Sequence, residues 1–329
     1  MAYVIALDAM GGDDAPEAIV NGAKLAVEKY DDVTLRLHGM ARVIKDMVGS
    51  CPRIDIVDAD EVIGMDEAPA MAVRQKENSS LVKTIIDVRD GLAQAAISAG
   101  STGAVMFAGM AKAGRVKGIY RPALAVVLPG RQKPFMLLDC GANVDCKEEY
   151  LNQFAILGAA YMKGAMGVAD PEVRLVNIGL EKEKGNRLYK AAYELMAKDG
   201  GYRFGGNVEA REVPDGVCDV VVADGFDGNL IIKYTEGLSK TLVSMLKSEL
   251  MSSFKGKIGG LLIKDSLRGF KSRLDPDVYG GAPLLGLDGL VIKAHGNARP
   301  ETILSCVRQA REAIKGDVMG LVKKACEKE

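Results

Sequence analysis

Residues 3–16 read YVIALDAMGGDDAP: an apolar run from Tyr3 to Leu7, then Asp8, a glycine pair at Gly11 and Gly12, two further acids and Pro16. An apolar run that stops at glycines and is followed by helical spacing is a strand feeding a helix. In the continuation, PEAIVNGAKLAVEKY, the residues Ile19, Ala23, Ala26, Val27 and Tyr30 fall on one helical face. Pro16 suits the first helical position, with Asp13 and Asp14 near the positive end of the helix dipole, where they read as caps. Glycine loops between a strand and a helix usually cradle phosphate on backbone N–H groups. Here Asp8, Asp13 and Asp14 would repel an anion, so a phosphate at this loop needs positive charge from elsewhere.

The same pattern recurs along the chain. AQAAIS leads into AGSTG, PFMLL into DCGANVD, VRLV into NIGLEKEKGN, DVVVA into DGFDGN, and GLVIKA into HGNARP. Strands alternating with helices predict an α/β fold with a mostly parallel sheet flanked by helices. Such sheets bind ligands outside the carboxyl ends of their strands, and the Gly/Asp/Asn-rich segments all fall there. At 329 residues, without repeat, low-complexity tract or clear linker, residues 1–329 read as one continuous two-lobed unit. The segment NSSLVKTIIDVRDG offers a helix cap at Asn78 or Ser79 and a stop at Gly91.

Composition and missing motifs exclude several chemistries. A net charge of −1 and 5% aromatic residues argue against a nucleic-acid partner. Residues 91–111 carry no charge, but four glycines, Gln94, Ser98, Ser101 and Thr102 interrupt them, so a buried core segment is expected rather than a membrane span. The first apolar run is too short, and lacks the basic flank, for a signal peptide. Six cysteines without a C-x-x-C pair read as reduced thiols of a cytosolic protein, with Cys140–Cys146 a weak disulfide candidate. P-loop, zincin and nucleophile-elbow motifs are absent, and two histidines cannot make a His-rich metal site. His38 reads as structural; His295, at a strand end, is as readily a core histidine as an acid–base group. Cys140 lacks the electropositive neighbour that a reactive thiolate needs, and reads as a buried hydrophobe.

Two segments carry the positive signal. LVNIGLEKEKGNRLY places Asn177, Lys182, Lys184, Asn186 and Arg187 just beyond a strand, where ammonium groups and turn N–H donors suit an anion. A solvated charged turn is the competing reading. VVVADGFDGNLIIK places Asp224, Asp227 and Asn229 in a double-glycine turn, with Lys233 four residues beyond Asn229. Helix capping would explain one of these residues. Two basic stretches bear on partners: 111–134, without an acid, and 254–273, where lysines and arginines interleave with Phe254, Ile258, Leu261, Leu262, Ile263, Leu267 and Phe270. A basic amphipathic segment at about 240–275 is expected to protrude, lying on an anionic membrane or forming a dimer contact.

Taken in order, DAMGGDDAP, AVRQKENSS, SAGSTGA, GANVD, NIGLEKEKGN, GNVEAREV, DGFDGN and YGGAPLLGLDG…HGN resemble the bacterial phosphate acyltransferase family, the acyl-acyl-carrier-protein:phosphate acyltransferases of phospholipid synthesis. The chain departs from the family pattern at Ser101, Leu180, Asp227 and the HGNARP ending. The resemblance implies transfer of a long-chain acyl group from acyl carrier protein to inorganic phosphate, without a metal or other cofactor. It implies a fold similar to isocitrate and isopropylmalate dehydrogenases and to phosphotransacetylases. It also implies a homodimer in the cytoplasm, loosely associated with the membrane, that passes acyl phosphate to a glycerol-phosphate acyltransferase.

Under that resemblance Lys184, with Lys182 or Arg187, is expected to hold phosphate. Asn229, Asn143 or loop N–H groups would polarise the thioester carbonyl, Asp224 would orient a lysine, and His295 is an optional proton acceptor. Asp8, Gly11, Gly12, Ser98, Gly100, Thr102, Gly103, Asn177, Asn186 and Lys233 complete the expected substrate site. The 111–134 surface is the expected dock for an acidic carrier protein.

Overall fold

The computed structural model describes residues 2–273 and 278–327. Its strands are β1 (Tyr3–Asp8), β2 (Val33–Gly39), β3 (Ile54–Asp58), β4 (Ala95–Ser98), β5 (Ala123–Leu124), β6 (Val126–Leu128), β7 (Phe135–Leu138), β8 (Glu172–Asn177), β9 (Arg203–Glu209), β10 (Val220–Val222), β11 (Ala282–Leu285) and β12 (Leu290–Lys293). The helices are α1 (Glu17–Lys29), α2 (Ala41–Val48), α3 (Pro69–Gln75), α4 (Ser80–Arg89), α5 (Thr102–Ala108), α6 (Glu148–Ala165), α7 (Arg187–Lys198), α8 (Gly225–Ser252), α9 (Phe254–Leu262), α10 (Lys264–Arg273), α11 (Pro300–Lys315) and α12 (Val318–Cys326).

The strands form two sheets where the sequence led us to expect one. The first has the order β3-β2-β1-β4-β12-β11-β5, and the second β6-β7-β10-β8-β9. β3, β2, β1, β4 and β12 run parallel, as do β7, β10, β8 and β9. β11 is antiparallel to both its neighbours, and β6 is antiparallel to β7. Twelve strands exceed what one strongly twisted open sheet holds, roughly ten, so the array divides. The chain crosses between the sheets through β5 and β6, where the Ala125 N–H donates to the Pro283 carbonyl at 3.0 Å. One buried cluster nevertheless runs from Ile5 and Leu37 in the first sheet to Leu138 and Val222 in the second.

The helices obey their sequence patterns with one correction. In α1, Ile19, Ala23, Ala26 and Val27 are buried as the spacing requires. Its partner is α11, and the approach is close because position 22 is glycine: a Cβ there would stand 2.5 Å from Cβ of Ile303. No side chain caps α1, so Asp13 and Asp14 are not its caps. The Asp13 N–H instead donates to the Gly296 carbonyl at 2.8 Å, and the Asp14 carbonyl receives the Ala18 N–H at 3.0 Å. The cap of α4 is Ser79, whose hydroxyl accepts from Val82, and Gly91 follows the helix with φ +73°.

Residues 91–111 fold as β4, α5 and a π-helical turn, and no described helix is long and apolar enough to cross a membrane. α8 buries only Gly225, Gly228 and Ile232, and no described residue from Lys233 to Phe270 is buried. Phe254 is 78% and Leu262 81% exposed, so these apolar side chains are left uncovered by the described residues. Residues 274 and 275 of the expected 240–275 segment, and the side chains of Lys271 and Arg273, lie outside the described residues.

Candidate active site

Parallel pairing lines up the carboxyl ends of β1, β4 and β12. Lys293 pairs with Ser98 in register, and Leu7 with Ile97, which sets Asp8 beside Ser98. The Ser98 hydroxyl donates to Asp8 Oδ2 at 2.6 Å and accepts the Gly100 N–H at 3.0 Å. Met10 N–H donates to Asp8 Oδ1 at 3.2 Å. Asp8 is buried, and burial pushes its carboxyl above the usual carboxylate range, against hydrogen bonds from Ser80, Ser98, Met10 and Gly11. A Cβ at Gly11 would stand 2.5 Å from Asp8 Oδ2, so the loop wraps the carboxylate at a distance only glycine allows. Asp8 and Ser98 are thus committed to each other and to backbone.

The sequence reading missed the third member of this row. Lys293 ends β12 with 7% of its surface exposed. Its ammonium donates to the Ala294 carbonyl and, at 3.5 Å, to the Ala99 carbonyl. Burial lowers its pKa to about 8, with Cys306, Asp13 and Asp8 opposing the shift. A lone cation at the end of the apolar run LVIK was the available signal. His295 lies two residues on, exposed, and its ring has no hydrogen bond among the described residues. Thr102 is exposed at the start of α5, while Gly103 is a packing position: a Cβ there would stand 2.8 Å from Cγ of Pro69.

Asp139 organises the strand ends of the second sheet. Fully buried just after β7, it accepts the N–H groups of Leu124 (2.9 Å), Cys140 (2.7 Å), Ala142 (3.2 Å) and Asn143 (2.6 Å), and Asn143 Nδ2 at 3.0 Å. Asn143 Nδ2 also donates to the Pro122 carbonyl at 2.8 Å, so both its amide hydrogens are committed within the loop. The first turn of α8 sits directly on this loop. A Cβ at Gly228 would lie 1.9 Å from the Asp139 carbonyl oxygen, which is why the turn needs its second glycine.

Asp224 is the cap of α8, accepting from Phe226 at 2.8 Å and from the Cys146 N–H at 2.9 Å; no lysine pairs with it among the described residues. Tyr189, also missed, joins the same turn. Its hydroxyl accepts the Asp224 N–H at 3.1 Å and donates to Asp227 at 2.6 Å. Capping therefore accounts for Asp224, and Tyr189 for Asp227, which leaves Asn229. Its amide is exposed, without a hydrogen bond among the described residues, beside Gly141.

Beyond β8, Asn177 shapes the 177–187 turn. Its amide donates to the Lys184 carbonyl and to Asn207 Oδ1, both at 3.2 Å, and Asn207 holds the Glu181 carbonyl at 2.8 Å. Asn186 caps α7 by accepting the Tyr189 N–H at 3.1 Å. The turn presents Lys182, Lys184 and Arg187 exposed, and none of them makes an ion pair among the described residues. Lys233 pairs with Glu236 at 3.1 Å on the surface of α8. No hydrogen bond or ion pair joins this group to the Asp8–Lys293 row among the described residues.

Two further observations bear on chemistry. Cys140 and Cys146 are buried, without a disulfide, and burial pushes both thiols up, with the Asp139 charge reinforcing it at Cys140. Neither is an activated nucleophile. Half of the six basic residues at 111–134 are ion-paired: Lys112 with Glu77, Arg131 with Asp215 and Lys133 with Asp219, while Arg115 donates to the Tyr120 carbonyl and keeps its charge. Lys117 and Arg121 remain without ion pairs among the described residues. A surface cavity of about 560 Å³, lined by Ile156, Lys163, Tyr202, Arg203 and Leu321, opens by the amino ends of β8 and β9, away from the strand-end loops.

The family model for fatty acid synthesis proteins matches residues 3–321. A phosphate acyltransferase of Clostridium botulinum is 48% identical over 312 residues, covering 94% of this chain and 93% of that protein. A phosphotransacetylase from Streptococcus pyogenes is similar in structure, with a TM-score of 0.62 and 18% identity over 95% of this chain and 94% of its own. A 4-hydroxythreonine-4-phosphate dehydrogenase from Klebsiella pneumoniae has a TM-score of 0.54 and 14% identity over 96% and 99%. Both likenesses concern the fold alone; the phosphotransacetylase is among the fold relatives expected from the sequence, while this dehydrogenase is not one of the two dehydrogenases expected there.

Proposed function

The chain belongs to the phosphate acyltransferase family of fatty acid synthesis proteins and is an acyltransferase, and within that family we propose that it carries a long-chain acyl group from acyl carrier protein to inorganic phosphate. The observation that carries this reading is the contrast between thiols and lysines at the strand ends. Both cysteines there are buried with raised pKa values, while Lys182, Lys184 and Arg187 are exposed and make no ion pair among the described residues. Among the described residues the strand ends offer cations for an anion and no activated thiol, which favours phosphate itself as the attacking group.

A phosphate oxygen bonds to the thioester carbonyl carbon, the carbonyl electron pair moves onto oxygen, and its return expels the thiolate with the carbon–sulfur pair. The phosphate proton passes to the departing sulfur, so acyl phosphate and free carrier thiol are the products. A thiolate of reference pKa near 8.5 leaves with little acid assistance. Lys184, with Lys182 or Arg187, holds the phosphate, and Asn229 donates to the developing oxyanion, with His295 the exposed group able to relay the proton. Holding the two reactants in line is worth roughly 7–11 kcal/mol and one oxyanion donor about 3–4 kcal/mol, without any acyl-enzyme.

The uncovered segment from Lys233 to Phe270 is the surface for a second copy of the chain or for the cytoplasmic face of a membrane, where acyl phosphate passes to a glycerol-phosphate acyltransferase. Arg115, Lys117 and Arg121 are what the 111–134 surface leaves for the acidic carrier. A thiol-release assay with acyl carrier protein thioester, run with and without inorganic phosphate, tests the reading. Release that requires phosphate supports it; release indifferent to phosphate, or hydride transfer from a hydroxy acid in its place, rejects it.

A further inference from the structure

Lys293 is the only buried lysine or arginine among the described residues. Burying an ammonium is costly, and a residue kept for packing alone would be apolar. No carboxylate forms an ion pair with it among the described residues. Its hydrogen bonds go to two carbonyls on different loops: Ala99, beyond β4, and Ala294, beyond β12. The loop beyond β1 is tied to the same place, because the Asp13 N–H donates to Gly296 at 2.8 Å and Asp8 is bonded to Ser98 at 2.6 Å. One cation therefore stands where the loops of three adjacent parallel strands converge, the location at which such sheets bind ligands.

We propose that Lys293 is a positioning residue for phosphate: its ammonium joins the loops after β4 and β12 and offsets the charge of Asp8 and Asp13, so that this acidic strand-end wall tolerates a phosphate dianion. This rests on the acyl-to-phosphate reading given above. The opening loop, with its glycines and its acids, then has the counter-charge it lacked, and the charge comes from the far end of the chain. The charged and titratable groups facing Lys293 are Asp8 at the end of β1, Asp13 in the β1–α1 loop and Cys306 on α11; β4 contributes the uncharged Ser98.

The consequence is a pH dependence of phosphate binding. Lys293 is charged below about pH 8 and neutral above it. As pH rises through that value the wall gains net negative charge and repels phosphate. In the wild-type protein the KM for phosphate should rise roughly tenfold from well below to well above that pH, with kcat changing less. Lys293→Arg keeps its charge throughout and should flatten the rise. Lys293→Gln should show the high KM at every pH. Steady-state thiol release at varied phosphate and pH reads all three. A wild-type KM that is flat across pH 8, or an unaltered rise in Lys293→Arg, overturns the proposal, and neither requires the Gln variant to fold. Absence of phosphate-dependent release by the wild type at any pH would instead defeat the functional reading beneath it.

Discussion

The loops at the carboxyl ends of the two sheets use the same residue types in opposite ways. At the first sheet Asp8, Ser98 and Lys293 are buried and bonded to one another's loops. At the second, Asp139 performs that internal work, while Lys182, Lys184, Arg187 and Asn229 stand outside it, exposed and unpaired among the described residues. Buried polar groups must be satisfied by the protein, so they fix loop shape; exposed unpaired groups keep their hydrogen-bonding capacity for a ligand. Strand-end placement alone thus does not identify a binding residue.

The largest test of that distinction is Asp139→Ala. It leaves four N–H groups and an amide without their acceptor, and should lower the unfolding free energy by at least about 3 kcal/mol, read from denaturant midpoints. A loss under about 1 kcal/mol would mean that the loop is held by something else. Lys184→Ala should do the reverse. Turnover should fall about a hundred- to a thousand-fold, equivalent to about 3–4 kcal/mol, with stability unchanged within about 0.5 kcal/mol. Near-normal turnover would remove Lys184 from the site.

Smaller effects compare the body with the uncovered helices. Ser79 caps α4 inside the fold, and Ser253 caps α9 where no residue is buried. Ser79→Ala should cost about 1 kcal/mol of global stability and Ser253→Ala none that denaturation detects. Equal losses would show that α9 packs on something in solution. The smallest effect concerns His38, buried against Asp87 at 2.7 Å with its Nδ1 unbonded. Burial lowers its pKa below the ordinary 6.5, although Asp87 opposes the shift. Above that value the ring is neutral in both states and stability is complete. As pH falls below it the unfolded chain takes up the proton first, so stability declines through the window down to the folded pKa. His38→Asn should flatten this slope; an unchanged slope would assign it to other groups.

Much of the fold was readable because six strands are apolar runs that stop abruptly at glycine, and α1 and α4 carry clear periodicity and stops. β5, β6 and β11 are two to four residues long and pair antiparallel, which no apolar run announces, and they divide the array into two sheets. A run of valines says that a strand exists and not which strand it pairs with. The exposed members of the candidate site were noticed for a related reason: Lys184, Arg187 and Asn229 cluster with glycines just beyond the apolar runs of β8 and β10. Asp139 and Tyr189 carried no comparable signal in the sequence. Their roles depend on backbone N–H groups arriving from Leu124 and Asp224, distant in sequence. Lys293 was hidden inside a strand that otherwise looked like core.

The central claim is that phosphate, and no residue of the protein, attacks the thioester. Mixing a stoichiometric amount of protein with acyl carrier protein thioester in the absence of phosphate, then quenching and weighing the intact chain by mass spectrometry, tests it most directly. The account predicts an unmodified mass and no burst of thiol until phosphate is added. A thiol burst matched by an acyl adduct on the protein would contradict it.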